Sequence, residues 1–215
     1  MTIIERSLNL NIYTQAILCC LGFMIFSFFI HSSFPLITIS FIGLAFPAAI
    51  IGVQINSFSD LIQKIDFIFP KKIGLYLFIG LQLGLIYAIV YRNISGMKLF
   101  PVSLTQFAAT AAVIGATEEI IFRGFIQKYF KKISLIFALL FATFSHTAYK
   151  CCLFLSPAIS VDVNIYFLAI WTFVGGLLFG ILKEISKSVV PAVIAHMLFD
   201  ILVYGECLNA PWWVW

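Results

Sequence analysis

The chain has 215 residues, of which 62% are hydrophobic and only 10% charged, with 24 Phe and a formal net charge of +4. A soluble domain carries about 25% charge, so a mean hydropathy of +1.08 excludes a water-soluble globule and makes lipid the main solvent. Disorder, a coiled coil and a nucleic-acid-binding module are excluded too, because each needs a charge density that this chain lacks.

The first apolar segment, 12–30, is too long for the core of a signal peptide and no small-residue cleavage site follows it, which predicts a retained anchor. A window of about 19 residues, enough to cross some 30 Å of hydrocarbon, then finds seven spans in all. They cover 12–30, 34–53, 73–91, 107–127, 133–149, 165–182 and 189–204. Boundary shifts would change the count only to six or eight. Between the second and third, Phe58, Leu61, Ile62, Ile65 and Phe69 recur at helical spacing opposite Asp60, Lys64 and Asp66, the pattern of a helix lying on the membrane surface. The apolar stretch 151–155 either caps the bundle or extends the fifth helix. The five cysteines, two adjacent pairs plus Cys207, lack zinc-site spacing and read as small hydrophobes.

Loop charges set the expected orientation. With the N-terminus inside, nine Lys and Arg fall on the cytoplasmic side, Arg6 and Lys183 among them, and three on the other: Arg92, Lys98 and Lys150. The positive-inside rule therefore predicts a cytoplasmic N-terminus and, after seven spans, a C-terminal WWVW acting as an aromatic anchor outside. No repeat or soluble domain interrupts the pattern. The expected fold is all-α: one polytopic membrane bundle over residues 1–215 with one interfacial helix.

Four charged residues lie within the spans, Glu118, Glu119, Arg123 and Asp200, together with His146 and His196. Each central charge costs about 2.5–3.5 kcal/mol on insertion scales, so these side chains must face the protein interior, where an ionisable residue marks a functional site by default. Glu119 and Arg123 are four apart with the acid first, the favourable order for an ion pair along one helix. Glu118 stands one residue off that line. Desolvated among Ile114, Ile121 and Phe122, it suits general acid–base work. His196 and Asp200 are also four apart and share a face of the last span. At about 1.5 Å per residue, His196, Glu118, Asp200 and His146 lie roughly 11, 14, 17 and 20 Å from the cytoplasmic ends of their spans. Three helices can thus bring two imidazoles and two carboxyl groups to one mid-membrane layer.

These residues carry a resemblance. EEIIFR at 118–123, the histidine of FATFSH at 141–146 and HMLFD at 196–200 resemble the three signatures of the CAAX-protease and bacteriocin-processing family. Its members are intramembrane endopeptidases, and they include the Ras-converting CAAX endopeptidase. The family pattern EExxxR, FxxxH and HxxxN or HxxxD covers about 107–204 here. Two positions depart from it. Ala142 stands where the family has Phe, with Phe141 and Phe144 flanking, and Asp200 stands where Asn is commoner. An Asn amide donates a hydrogen bond at any pH, whereas Asp donates only when protonated.

The resemblance implies that Glu118 and His146 activate a water, that His196 and Asp200 stabilise the oxyanion, and that the Glu119–Arg123 pair braces the helix. It implies a membrane-bound protein or peptide as substrate. No cofactor is expected. The alternative is zinc, held by Glu118, His146, His196 and Asp200, whose donor types suit that metal, although HExxH is absent. Other readings of the same residues are a buried ion pair that only joins helices, a proton-coupled transporter, and a noncatalytic immunity or scaffold protein that keeps the fold. The expected location is a prokaryotic cell membrane, and the partners are the lipid bilayer and the substrate, with no nucleic acid.

Overall fold

The computed structural model describes residues 11–53, 55–158 and 163–207. Arg6 and the expected aromatic anchor at 212–215 lie outside these described residues. The described residues form eight helices: α1 (Ile12–Phe29), α2 (Ile37–Gly52), α3 (Phe58–Lys64), α4 (Ile73–Ile94), α5 (Gln106–Glu119), α6 (Leu135–Leu155), α7 (Ile165–Ser186) and α8 (Val190–Val203). No strand occurs among them. Helices α1, α4, α6 and α7 are long and apolar enough to cross a bilayer, and α2 and α8 are shorter apolar helices. This is an all-helical membrane fold. Large apolar side chains such as Phe78, Ile86, Phe144 and Ile170 stay exposed on these helices, as a lipid solvent permits.

Polar residues punctuate the apolar runs. Asn11 accepts a hydrogen bond from the Tyr13 N–H at 3.0 Å and starts α1. Ser134 does the same for the Phe137 N–H at 3.0 Å before α6, and Asn164 for the Phe167 N–H at 3.0 Å before α7. Each satisfies an amide that the first helical turn leaves open. The stretch 151–155 extends α6 rather than folding back. The surface helix is shorter than its apolar pattern, ending at Lys64 with the Lys64–Asp60 pair at 2.8 Å.

The fourth predicted span departs most. Its α-helix ends at Glu119, and Ile120–Gln127 continues as a π-helix before one last α turn, Lys128–Phe130. Hydrogen bonds there run to the fifth residue instead of the fourth. Glu119, Arg123 and Gln127, spaced by four, are all fully buried.

Contacts group the chain into two compact units. One holds the described residues up to Lys64 with Gln127–Gly176, and in it α1 packs against α2 and α6. The other holds Ile65–Ile126 and the described residues from Leu177, and in it α8 packs against both α4 and α5. The α4–α8 crossing is close because Gly80 and Gly84, a GxxxG pair, face it. A Cβ on Gly80 would stand 2.5 Å from the Pro191 carbonyl oxygen, and one on Gly84 would stand 2.3 Å from that of Ala195. In lipid, such small residues let backbones approach and gain dispersion contact.

Two cations counted as loop charges are buried parts of this second unit. Arg92, in the last turn of α4, donates to the Lys98 and Leu202 carbonyls and pairs with Glu206 at 3.0 Å. Lys183, within α7, lies 3.0 Å from both Asp66 and Glu184. A burial cost that single-residue hydropathy assigns to the charge is offset by these partners.

Candidate active site

Helix α5 is rich in small residues, and Ala108, Ala111, Ala112 and Gly115 form a buried face ahead of the acids Glu118 and Glu119. Helix α8 lays its His196–Asp200 face against it at Gly115. His196 is the hub. Its Nδ1 lies 2.9 Å from Glu119 Oε1, and its Nε2 lies 4.0 Å from Glu118 Oε2 and 3.6 Å from Asp200 Oδ2. An ionised carboxylate can only accept, so Nδ1 donates to Glu119. The other oxygen of Glu119 pairs with Arg123 Nε at 3.2 Å. All five side chains are buried.

Aromatic rings close the apolar side of this group. The Phe179 ring is 5.3 Å from the His196 ring and that of Phe199 is 6.3 Å away, and Tyr87 packs on Phe199 at 4.9 Å. They limit the directions the imidazole can turn, so its orientation is set by packing as well as by Glu119.

His146 belongs to the other unit. It is buried on α6, with the Tyr149 ring 6.5 Å away. Ala142, one turn before it, is fully buried, while Phe141 stacks on Phe137 at 5.5 Å and meets Phe130 edge-on at 5.1 Å. Phe144 is exposed. The ring missing at position 142 is thus not replaced by its second neighbour, which faces outward. Ser145, its neighbour in sequence, is also buried.

Of the residues singled out in the sequence, five come together in one unit: Glu118, Glu119, Arg123, His196 and Asp200. Spacing did reveal the Glu119–Arg123 pair, but it missed the contact from Glu119 to His196, which joins positions 77 residues apart. Gly115 was also missed, although a glycine one turn before two buried acids is a readable sign of close helix approach. Among the described residues, no group of three or more His, Cys, Asp and Glu is arranged so as to hold a metal ion.

Residues 100–202 match the family model of the Type II CAAX prenyl endopeptidase Rce1-like proteins. Over this segment, a little under half of its length, the chain is similar to the Rce1-like family. The segment holds Glu118, Glu119, Arg123, His146, His196 and Asp200. The similarity and the four long apolar helices agree on an integral membrane protein. No curated protein and no solved structure matches the chain.

Proposed function

We propose that the protein is an intramembrane endopeptidase that hydrolyses a peptide bond of a membrane-associated protein or peptide, with Glu118 and His146 activating the attacking water. The observation that carries this reading is the buried convergence of His196 Nε2 with the Glu118 and Asp200 carboxyl oxygens within 4.0 Å inside the segment that matches the endopeptidase family.

The chemistry runs as a general-base hydrolysis. Glu118, helped by His146, takes a proton from water as its oxygen attacks the scissile carbonyl carbon. The carbonyl oxygen becomes an oxyanion, which accepts hydrogen bonds from His196 and Asp200. With Nδ1 committed to Glu119, donation to the oxyanion falls to Nε2, so the ring works with both nitrogens protonated. Asp200 donates as the protonated acid. Collapse of the tetrahedral intermediate breaks the C–N bond, and the proton held by Glu118 passes to the leaving amine. Arg123 steadies Glu119, and Glu119 steadies the imidazole by accepting from its Nδ1. No step calls on a metal.

The test uses purified protein in proteoliposomes with a quenched fluorescent peptide that ends in a prenylated CAAX sequence. Wild type cleaves it, also after chelator treatment. Glu118→Gln, which keeps the volume and removes the base, lowers kcat by roughly 10²–10⁴ with unchanged expression and Tm. Normal turnover by Glu118→Gln would reject the catalytic assignment, and loss of activity to chelator would return the metal to the mechanism. The natural substrate is found by comparing membrane peptide termini between cells carrying wild type and Glu118→Gln.

A further inference from the structure

The point where α8 meets α5 is Gly115. A Cβ built there would stand 2.3 Å from Asp200 Oδ2, 3.0 Å from His196 Cδ2 and 3.1 Å from His196 Cγ. No real Cβ tolerates the first distance. The atoms in the way differ from those at the other glycines of α8's seam. At Gly80 and Gly84 the obstacle is the backbone of Pro191 and Ala195, so a methyl there forces two helices apart. At Gly115 the obstacle is the end of one flexible carboxylate and the edge of one ring. A methyl can be accommodated by turning Asp200 away and shifting the imidazole a few tenths of an ångström, with the helices left in place.

We infer that Gly115 is a positioning residue: the absence of its side chain is what lets Asp200 and His196 sit against α5 at the level of Glu118 and Glu119. Three positions separate Gly115 from Glu118 and four separate it from Glu119, so it lies one turn away on the same face. The space that a Cβ would fill is occupied by the two groups assigned to the oxyanion. Sequence position alone does not mark it, since the motif begins three residues later. The inference rests on the oxyanion reading of His196 and Asp200 given above, and its consequence is a defect in the chemical step, not in assembly.

The experiment uses full-length protein in proteoliposomes, with three measurements on Gly115→Ala: Tm, cleavage of the quenched prenylated peptide, and the NMR resonances of 13C-labelled histidine. The His196 signal is identified by its loss in His196→Gln. Gly115→Ala is expected to keep a Tm near wild type, to move the His196 resonance, and to lower kcat roughly ten- to hundredfold with KM little changed, as for a misplacement of under 1 Å at a reacting centre. In an Asp200→Ala background the same substitution should cost several-fold less in kcat than it does alone, because the larger displacement is already gone and only the shift of His196 remains. An unmoved His196 resonance, or a loss of Tm as large as that of Gly84→Ala, overturns the placement. A moved resonance with full cleavage in both Gly115→Ala and Asp200→Ala instead overturns the oxyanion reading, and the catalytic consequence of Gly115 falls with it.

Discussion

Glu119 does two things with two oxygens: one holds Arg123 at 3.2 Å and the other holds His196 at 2.9 Å. Glu119→Ala therefore removes both, and breaking a buried ion pair costs about 3–5 kcal/mol. Loss of folded protein is the expected outcome, read as yield and Tm in detergent. Glu119→Ala with Arg123→Met removes the cation as well and should recover much of the stability. It should not recover cleavage, because the imidazole still lacks the acceptor on Nδ1. If the double variant is as active as wild type, orientation of His196 by Glu119 is wrong. The ion pair was legible from four-residue spacing alone, because the helix itself brings such positions together. The histidine contact was not, since no local rule links residues in different helices.

At the scale of elements, the apolar runs identified each helix, and polar caps at Asn11, Ser134 and Asn164 account for three of the starts. Hydropathy could not show where α5 changes to a π-helix, because a four-residue spacing of buried side chains over eight residues suits either winding. How closely α8 approaches α4 was equally hidden, although the glycines responsible stand in plain view as Gly80 and Gly84. Gly84→Ala offers the measure of that contact. Within an isolated helix the change stabilises by about 1 kcal/mol. Here the new methyl meets the Ala195 carbonyl at 2.3 Å, and overpacking that moves backbone costs about 1–3 kcal/mol or more. A lower Tm is expected, with the loss larger than for Gly74→Ala, where nothing lies within 4 Å of the new Cβ. An unchanged or higher Tm in Gly84→Ala would mean that α4 and α8 are not in close contact.

At the scale of the molecule, Arg92 ties distant parts of one unit together. It draws on the Lys98 and Leu202 carbonyls, and Glu206 joins it at 3.0 Å while also accepting from the Val102 N–H at 2.7 Å. The end of α4, the loop before α5 and the end of α8 therefore close on one buried guanidinium. The Val102 amide and then Arg92 hold the Glu206 carboxyl below the ordinary glutamate range. A depressed carboxylate stabilises the fold above its unfolded pKa, about 4.3, and that contribution fades as pH falls through the folded value. Wild-type Tm should thus drop more steeply than that of Glu206→Gln as pH is lowered from about 5 into the acid range. Parallel Tm profiles for the two proteins would show that Glu206 makes no such contribution.

Composition and hydropathy by themselves determined that this chain is a membrane protein built of helices, because a charge content of 10% leaves no other solvent. The spacing of ionisable residues inside the spans also determined which side chains are functional candidates, since lipid makes an idle charge expensive. The tertiary structure alone decided which of them meet. Close approach at Gly115 sets the level of His196 and Asp200 against the acids, and the two arms of Glu119 select the imidazole's donor. It alone decided that Arg92 and Lys183 are buried partners and not loop charges. Such outcomes depend on contacts between helices far apart in sequence, whose distance is set by the smallest side chains at the crossing, and periodicity along one helix carries no record of what stands opposite.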